Sequence, residues 1–231
     1  MSREPELLGA GVLQRLQRVL AVRGMNLQNL PEAPADAQPY TSLALLEARL
    51  PPRYRTACAD HPDVLAWTRD VIARAEAPNP GARRQITTGP SLLLAGVTGA
   101  GKTHQAYGAV RALAEVGLVL RWRATTAADL YADLRPRPGH DTERALEKVS
   151  CHPLLILDDL GAAKASEWVE EITYRLINRR YNLMLPTLIT TNLAMRDLRD
   201  QLGDRVASRL AEMTTRVTFE PVDRRRRHHT A

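Results

Sequence analysis

The sequence predicts an α/β fold in which a parallel five-stranded sheet is flanked by helices, with a small helical region at the N-terminus. Two observations favour this class. From about residue 90 onward, short apolar runs of strand length alternate with longer segments of helical periodicity, the pattern of a parallel sheet covered on both faces. The first apolar run also ends in a glycine-rich turn that leads into a helix. The 231 residues suffice for one such domain and a small appendage.

The N-terminal region, residues 1–80, is predicted to be mainly helical. Apolar residues recur at helical spacing in residues 6–23, and further helices are predicted at 43–50 and 63–75. Three prolines predict a linker at 31–39. We place the domain boundary between about residues 76 and 90, where prolines and a glycine interrupt the chain. The region either docks a partner or covers the following domain, and the sequence leaves both roles open.

The core domain is expected to span residues 85–223. Its strands are predicted at 91–95, 118–124, 154–157, 187–191 and 215–219. Its helices are predicted at 102–116, from Thr125 or Thr126 to Leu134, at 166–181 and at 198–212, and a surface loop at 135–140. Right-handed crossovers follow from the twist of the strands.

Composition limits the compartment and the partners. Cys58 and Cys151 are too few for a disulfide framework or a zinc site. The first residues do not resemble a signal peptide, and the apolar runs are too short to span a membrane, so we expect a cytoplasmic protein without membrane contact. The net charge of +6 is compatible with nucleic-acid contact. Arginine abundance alone proves little, because a GC-rich genome has the same effect.

The strongest motif is Gly-Val-Thr-Gly-Ala-Gly-Lys-Thr at residues 96–103, the pattern of a Walker A loop. Such a loop turns its backbone N–H groups toward phosphate oxygens, and a Cβ would obstruct that turn at several positions. Lys102 is expected to reach the β- and γ-phosphates, and the Thr103 hydroxyl to bind Mg²⁺. The helix that begins here points its positive end at the phosphates. The residues predicted to contact ATP are Gly96, Val97, Thr98, Gly99, Ala100, Gly101, Lys102, Thr103 and His104.

A second motif ends the apolar run Leu154–Leu157 with two carboxylates, as in a Walker B strand. Carboxyl ends of parallel strands form the ligand-binding edge of such sheets. Asp158 is expected to hold Mg²⁺, and Asp159 to orient or deprotonate the attacking water.

Two further sets of residues are candidates for a role in the site, one as a sensor of the nucleotide and one as a contribution to a neighbouring subunit. Asn192 follows the strand at 187–191, where its amide can hydrogen-bond the γ-phosphate or the attacking water; an asparagine there can also simply form a turn. Arg205 and Arg209 are four residues apart and share one helix face. An arginine on such a face can complete a neighbouring subunit's site, although a solvated basic face has the same sequence.

With these motifs in place, the chain resembles the AAA+ ATPases of the DnaC-like helicase-loader group and the related IstB-like transposition helpers. The matching segments are Gly96–Thr103, Leu154–Gly161, Ile177–Tyr181, Pro186–Leu193 and Leu202–Leu210. Leu-Asp-Asp-Leu-Gly and Gly-Asp-Arg-Val-Ala-Ser-Arg-Leu are much more specific than the Walker A loop. The resemblance covers roughly residues 85–223.

The resemblance implies nucleotide-dependent homo-oligomers, ATP hydrolysis at subunit interfaces, contact with single-stranded DNA and delivery of a replicative helicase onto DNA. It also implies an arginine finger in trans, for which we favour Arg209 slightly over Arg205. Hydrolysis by an isolated subunit is then expected to be slow. The basic tail, residues 224–231, either adds phosphate contacts or is simply solvated.

Three rivals stay open at this point. The closest is an IstB-like transposition helper that acts with a transposase. A small-molecule kinase would need a substrate pocket and an arginine-bearing lid, and the sequence offers neither clearly. A nucleotide-gated binding protein that hardly turns over would bind ATP at the same residues.

Overall fold

The computed structural model describes residues 42–220. The predicted helix at 6–23, the linker at 31–39 and the basic tail lie outside these residues. The described residues belong to one compact unit, which begins at Tyr40.

Five parallel strands form one sheet: β1 (Ser91–Ala95), β2 (Trp122–Thr126), β3 (Leu154–Asp158), β4 (Thr187–Thr191) and β5 (Thr214–Thr218). Their order across the sheet is β2-β3-β4-β1-β5. In this order β1 lies between β4 and β5, so the glycine-rich loop that follows β1 faces the ends of neighbouring strands. The predicted five-stranded parallel sheet is confirmed.

Seven α-helices accompany the sheet in residues 42–220. They are α1 (Ser42–Glu47), α2 (Pro62–Arg74), α3 (Lys102–Glu115), α4 (Ala127–Leu134), α5 (Thr142–Ser150), α6 (Glu167–Asn182) and α7 (Met195–Met213). Side-chain caps mark several starts: Thr126 accepts a bond from the Asp129 N–H, and Ser166 from the Val169 N–H. None of these helices is both long and apolar enough to cross a membrane.

The strands separate two apolar layers, because successive residues of a strand point to opposite faces. Leu92, Leu94 and Ile156 pack with α1, α2 and α3 in one layer. Leu93, Leu155, Leu157 and Ile189 pack with α4, α6 and α7 in the other. Strands buried on both faces explain the uninterrupted apolar runs in the sequence.

Several predicted bounds differ from the structure. Strand β2 begins at Trp122 rather than Leu118, because it pairs residue by residue with β3 from Trp122–Leu154 to Thr126–Asp158. Helix α1 ends at Glu47, and Pro52 begins a short 3₁₀ helix, Pro52–Tyr54. Helix α5 was not located from sequence; it is short and is capped by Asp141, which accepts a bond from the Arg144 N–H.

The segment before the sheet also differs from the expected division of the chain. Helices α1 and α2 share the core of the sheet: Val64, Trp67 and Val71 are buried in the layer that contains Leu92 and Leu94. The Trp67 indole donates a hydrogen bond to the Pro90 carbonyl at 2.8 Å. The structure therefore places these two helices in one compact unit with the sheet, rather than before a boundary at 76–90.

Candidate active site

The loop between β1 and α3 has the backbone that its glycines predict. Gly99 and Gly101 have φ values of 87° and 95°, a region that residues with a Cβ rarely adopt. Gly96 is required for a different reason, because a Cβ there would lie 2.9 Å from the Phe219 Cβ. The loop is thus held against the residue that follows β5 while its other glycines turn the backbone.

Lys102 lies at the centre of the site and is only 5% exposed. Its ammonium donates to the carbonyls of Gly96 and Val97 at 2.8 and 2.9 Å and to Asn192 Oδ1 at 2.7 Å. The lysine thus bridges the glycine loop and the end of β4. A compact positive charge at this position suits the oxygens of a polyphosphate.

Asp158 and Thr103 lie together, as the sequence predicts for a magnesium site. The Thr103 hydroxyl donates to Asp158 Oδ1 at 3.0 Å. A hydroxyl and a carboxylate are oxygen ligands of the kind that Mg²⁺ prefers, and the ion usually takes one or two protein oxygens together with phosphates and water. The donor set therefore fits an ion that arrives with a nucleotide.

The pKa of Asp158 is raised above its ordinary value, chiefly because the carboxyl group is partly buried. Hydrogen bonds from Thr190 and Thr103 oppose this shift, the neighbouring Asp159 adds to it, and Lys102 opposes it. A carboxylate that has lost part of its hydration gains more from a nearby cation than an exposed one does.

Thr190 joins the two acidic residues, a role that sequence reasoning missed. It is fully buried on β4. Its hydroxyl donates to Asp158 Oδ1 at 2.5 Å and accepts from the Asp159 backbone N–H at 2.9 Å. The signal was present in the predicted Thr-Thr-Asn segment, but only the pairing of β3 with β4 reveals which residue the threonine meets.

Asn192 connects Lys102 to Asp159. Its Oδ1 accepts from Lys102, and its Nδ2 donates to Asp159 Oδ1 at 3.3 Å. Asp159 itself has φ 54°, an uncommon backbone for a residue other than glycine, which turns the chain immediately after β3. The predicted base, lysine and sensor are therefore joined by hydrogen bonds.

Arg205 and Arg209 lie elsewhere. Arg209 Nε donates to Asn178 Oδ1 at 3.2 Å, and its guanidinium carbon lies 4.3 Å from the centre of the Tyr181 ring. Arg205 lies over the ring of Tyr174 at 5.7 Å. Both arginines therefore contact α6, and within residues 42–220 neither forms a hydrogen bond or an ion pair with the glycine loop or the two aspartates.

A break in α7 orients the segment that carries these arginines. Gly203 has φ 82° and ψ 162°, which interrupts the helix between Leu202 and Asp204. This backbone region is essentially restricted to glycine. A Cβ at Gly203 would also overlap the Glu170 carboxylate. The sequence predicts a continuous helix from 198 to 212, so the break is a correction.

A segment before α2 supports the first turns of α3 and was also missed. Gln105 Oε1 accepts from the backbone N–H groups of Asp60 and His61, both at 3.1 Å. A Cβ on Gly108 would overlap the backbone of residues 58 and 59. His104, predicted to contact nucleotide, uses its side chain here, because its Nε2 accepts from the Cys58 N–H at 3.3 Å. A glycine in mid-helix was the available signal.

Together, the strand order, the loop after β1 and the acidic end of β3 define a P-loop NTPase of the AAA+ type. The model of the family described as IstB-like ATP binding protein matches residues 84–219. The chain belongs to this family.

Comparison with individual proteins agrees with that assignment. The Escherichia coli K12 protein named Replicative helicase loader DnaC is 28% identical over 126 residues, which are 52% of this chain and 49% of the relative. The chain thus spans about half the length of the curated relatives that it matches. This chain also matches the crystal structure of the DnaC helicase loader, with a TM-score of 0.58 and 27% sequence identity. The match covers 74% of this chain and 100% of the DnaC chain. The crystal structure of DnaI shares the fold, with a TM-score of 0.57 and 22% sequence identity. The match covers 74% of this chain and 87% of the DnaI chain.

Proposed function

We propose that this protein is an ATPase of DNA replication that loads a replicative helicase onto single-stranded DNA, in the cytoplasm. Membership of an ATP-binding AAA+ family supports the use of ATP. Similarity to the helicase loader DnaC supports the biological role. The observation that carries the proposal is the hydrogen-bonded chain Lys102–Asn192–Asp159 beside the Thr103–Asp158 pair.

Each of these residues has a role in hydrolysis. Lys102 exchanges its loop carbonyls for β- and γ-phosphate oxygens and offsets the charge that develops there. Asp159 orients the water for in-line attack on the γ-phosphate, and Asn192 reports the presence of that phosphate to Asp159. Thr103 and Asp158 would hold Mg²⁺, which neutralises phosphate charge when it is bound.

The site is proposed to be shared between subunits of a homo-oligomer. Arg205 and Arg209 are the expected finger residues, yet both contact α6 of their own chain. An arginine on this surface completes the site of a neighbour rather than its own. Hydrolysis by isolated subunits is then slow, since a finger in trans raises the rate on the order of 10³–10⁵ in other phosphoryl-transfer systems.

Complementation between two inactive variants tests this arrangement. Lys102→Ala loses the ATP site and keeps the finger, whereas Arg209→Ala keeps the ATP site and loses the finger. Each alone should hydrolyse ATP at least ~100-fold more slowly than wild type, because each lacks a group that stabilises the transition state. An equal mixture should regain activity, and wild-type activity per subunit should rise with concentration, with and without single-stranded DNA.

Two controls make the result decisive. Arg199→Ala removes an exposed arginine from the first segment of α7 and should behave as wild type. Mixing Lys102→Ala with Arg205→Ala, in place of Arg209→Ala, shows which of the two arginines is the finger. A mixture that stays inactive at every ratio with both arginine variants would rule out a finger in trans and favour a monomeric P-loop enzyme.

A second function is supported by the family itself, whose description is IstB-like. In that case the same ATPase core assists a transposase. Loading of a purified replicative helicase onto circular single-stranded DNA separates the two. ATP-dependent loading that Lys102→Ala abolishes supports the loader, whereas no loading together with stimulation of a transposase supports the transposition helper.

A further inference from the structure

Two hollows flank the outer edge of β2, away from the glycine loop. One has a volume of about 440 Å³ and is lined in part by Arg49, Arg123, Lys148 and His152. The other, of about 300 Å³, is lined in part by Arg123, Arg137, His140 and Lys148. Arg123 and Lys148 line both, so the two hollows adjoin. We call these six side chains the β2-edge surface: Arg49, Arg123, Arg137, His140, Lys148 and His152.

The charge of this surface is strongly one-sided. Among the described residues that line the two hollows, Asp133 is the only carboxylate. It lies 3.7 Å from Arg123 and neutralises part of that one charge. His140 Nε2 is buried and has no hydrogen-bond partner within residues 42–220. The arginine and lysine side chains of this surface therefore offer N–H donors and positive charge to an anion.

Contacts with the scaffold hold parts of this surface in place. Arg49 donates to the Trp122 carbonyl at 3.1 Å, and its guanidinium carbon lies 5.4 Å from the centre of the Trp122 ring. His152 Nδ1 lies 2.7 Å from the Lys148 carbonyl oxygen. An arginine has five N–H donors, so the bond to Trp122 leaves most of them for a ligand. Groups that are already positioned lose less conformational entropy on binding.

We propose that the β2-edge surface binds the phosphate backbone of a nucleic-acid strand, with neighbouring phosphates in the two hollows. Adjoining cationic hollows fit a ligand that repeats its negative charge along a line. Guanidinium groups match phosphate geometry with paired hydrogen bonds. The identity of the strand as single-stranded DNA rests on the proposed function.

The test uses the full chain and a fluorescent single-stranded oligothymidine, with binding followed by anisotropy at several salt concentrations. Lys148→Ala combined with Arg137→Ala removes two charges from the surface. Each phosphate contact on a single strand contributes about 0.7 to the slope of log K against log salt, so we expect the slope to fall by roughly 1.4 and the affinity on the order of tenfold at low salt.

Arg69→Ala combined with Arg74→Ala is the matched control, since both are exposed arginines on α2 and the charge change is the same. Both double variants should bind ATP as wild type does and unfold at the same temperature. Equal slopes for the two double variants would overturn the inference while leaving DNA binding by the protein intact.

Two other outcomes are separable. If the wild-type chain itself does not bind the oligonucleotide with or without ATP, the DNA contact of the proposed function is wrong as well. If the β2-edge variant keeps its DNA slope and loses binding to a replicative helicase, the surface docks an acidic protein and the proposal fails.

Discussion

At the scale of single residues, Thr190 decides how the two carboxylates of the site are arranged. Its hydroxyl touches the Asp158 carboxylate and the Asp159 backbone at once. Thr191, the next residue of β4, is equally buried, but its hydroxyl bonds the Leu160 carbonyl instead. Two adjacent threonines of the same burial therefore have different partners.

We predict that Thr190→Val weakens magnesium-dependent hydrolysis while keeping the fold. Residues that orient a metal ligand typically affect metal affinity or activity by about 10–100-fold. Hydrolysis measured against magnesium concentration should show half-maximal activity shifted upward by about that factor. Thr190→Ser should restore it, and Thr191→Val should leave the magnesium dependence near that of wild type. A wild-type magnesium curve for Thr190→Val would exclude this positioning role.

We predict that the Asp158 carboxylate, which hydrolysis needs, lowers the stability of the folded protein in the absence of nucleotide and metal. Its pKa is raised by burial, so the folded protein favours the neutral acid relative to the unfolded chain. The stability that the neutral acid contributes to the folded protein is fully present below the ordinary carboxyl pKa. It is lost as the pH rises through the raised pKa of the folded state. Asp158→Asn should therefore gain stability relative to wild type over that pH interval and keep the gain at neutral pH.

Denaturant unfolding without nucleotide or metal at several pH values measures the difference. Hydrolysis by Asp158→Asn should be lost at every pH, because the amide is a poor magnesium ligand. A stability difference that does not depend on pH would show that burial of this carboxylate has no energetic cost.

At the scale of secondary-structure elements, the Arg180 side chain connects α5, α6 and β4 through hydrogen bonds. It is fully buried in α6. Its guanidinium donates to the carbonyls of Ser150, His152 and Pro186 and to the Thr187 hydroxyl, at 2.8–3.0 Å. Burial lowers its pKa to about 9, which leaves it charged at neutral pH. It thus joins α6 to the end of α5 and to the start of β4.

Arg180→Met should cost on the order of 3–5 kcal/mol of unfolding free energy, because several buried acceptors would lose their donor. The neighbouring Arg179→Met is the control: its side chain is 42% exposed and lies 3.8 Å from Glu147. An exposed pair of this kind contributes about 0–1 kcal/mol. Urea unfolding measures the loss of unfolding free energy in both variants. Equal losses would show that the buried hydrogen bonds of Arg180 contribute no more to stability than the exposed ion pair of Arg179.

At the scale of the whole molecule, the compact unit includes the two helices that precede the sheet. Leu46, Val64, Trp67 and Val71 are each 3% exposed or less. Burial of one such side chain is worth about 1.5–3 kcal/mol. The burial of four such side chains therefore contributes a free energy comparable to the total unfolding free energy of a domain, about 5–15 kcal/mol.

A chain that begins at residue 40 should therefore keep its cooperative thermal transition, whereas a chain that begins at residue 81 should lose it. Circular dichroism melts of the two truncated chains, with ATP binding as a second readout, distinguish these outcomes. A cooperative melt for the shorter chain would restore the boundary that the sequence suggested and with it an independent N-terminal module.

Much of the site was predictable because its signals are local. The glycines, Lys102 and Thr103 are consecutive, and the carboxylates follow an apolar run. A loop that must approach phosphates and a strand buried on both faces both restrict residue type strongly. The existence of the five strands followed from the same local constraint, whereas their order across the sheet and the bounds of β2 depended on which strands pair.

What the sequence determined by itself was the class of fold, the ATP loop and the residues expected to carry hydrolysis, since each is written in consecutive residues. Only the tertiary structure decided that Thr190 joins the two aspartates, that Arg180 fastens three elements, that Gly203 breaks α7, and that cationic side chains from four segments meet at the edge of β2. These features depend on which strands and helices become neighbours. Contacts between residues far apart in the chain leave no local pattern, because the side chains acquire their partners only when the sheet and its two layers are assembled.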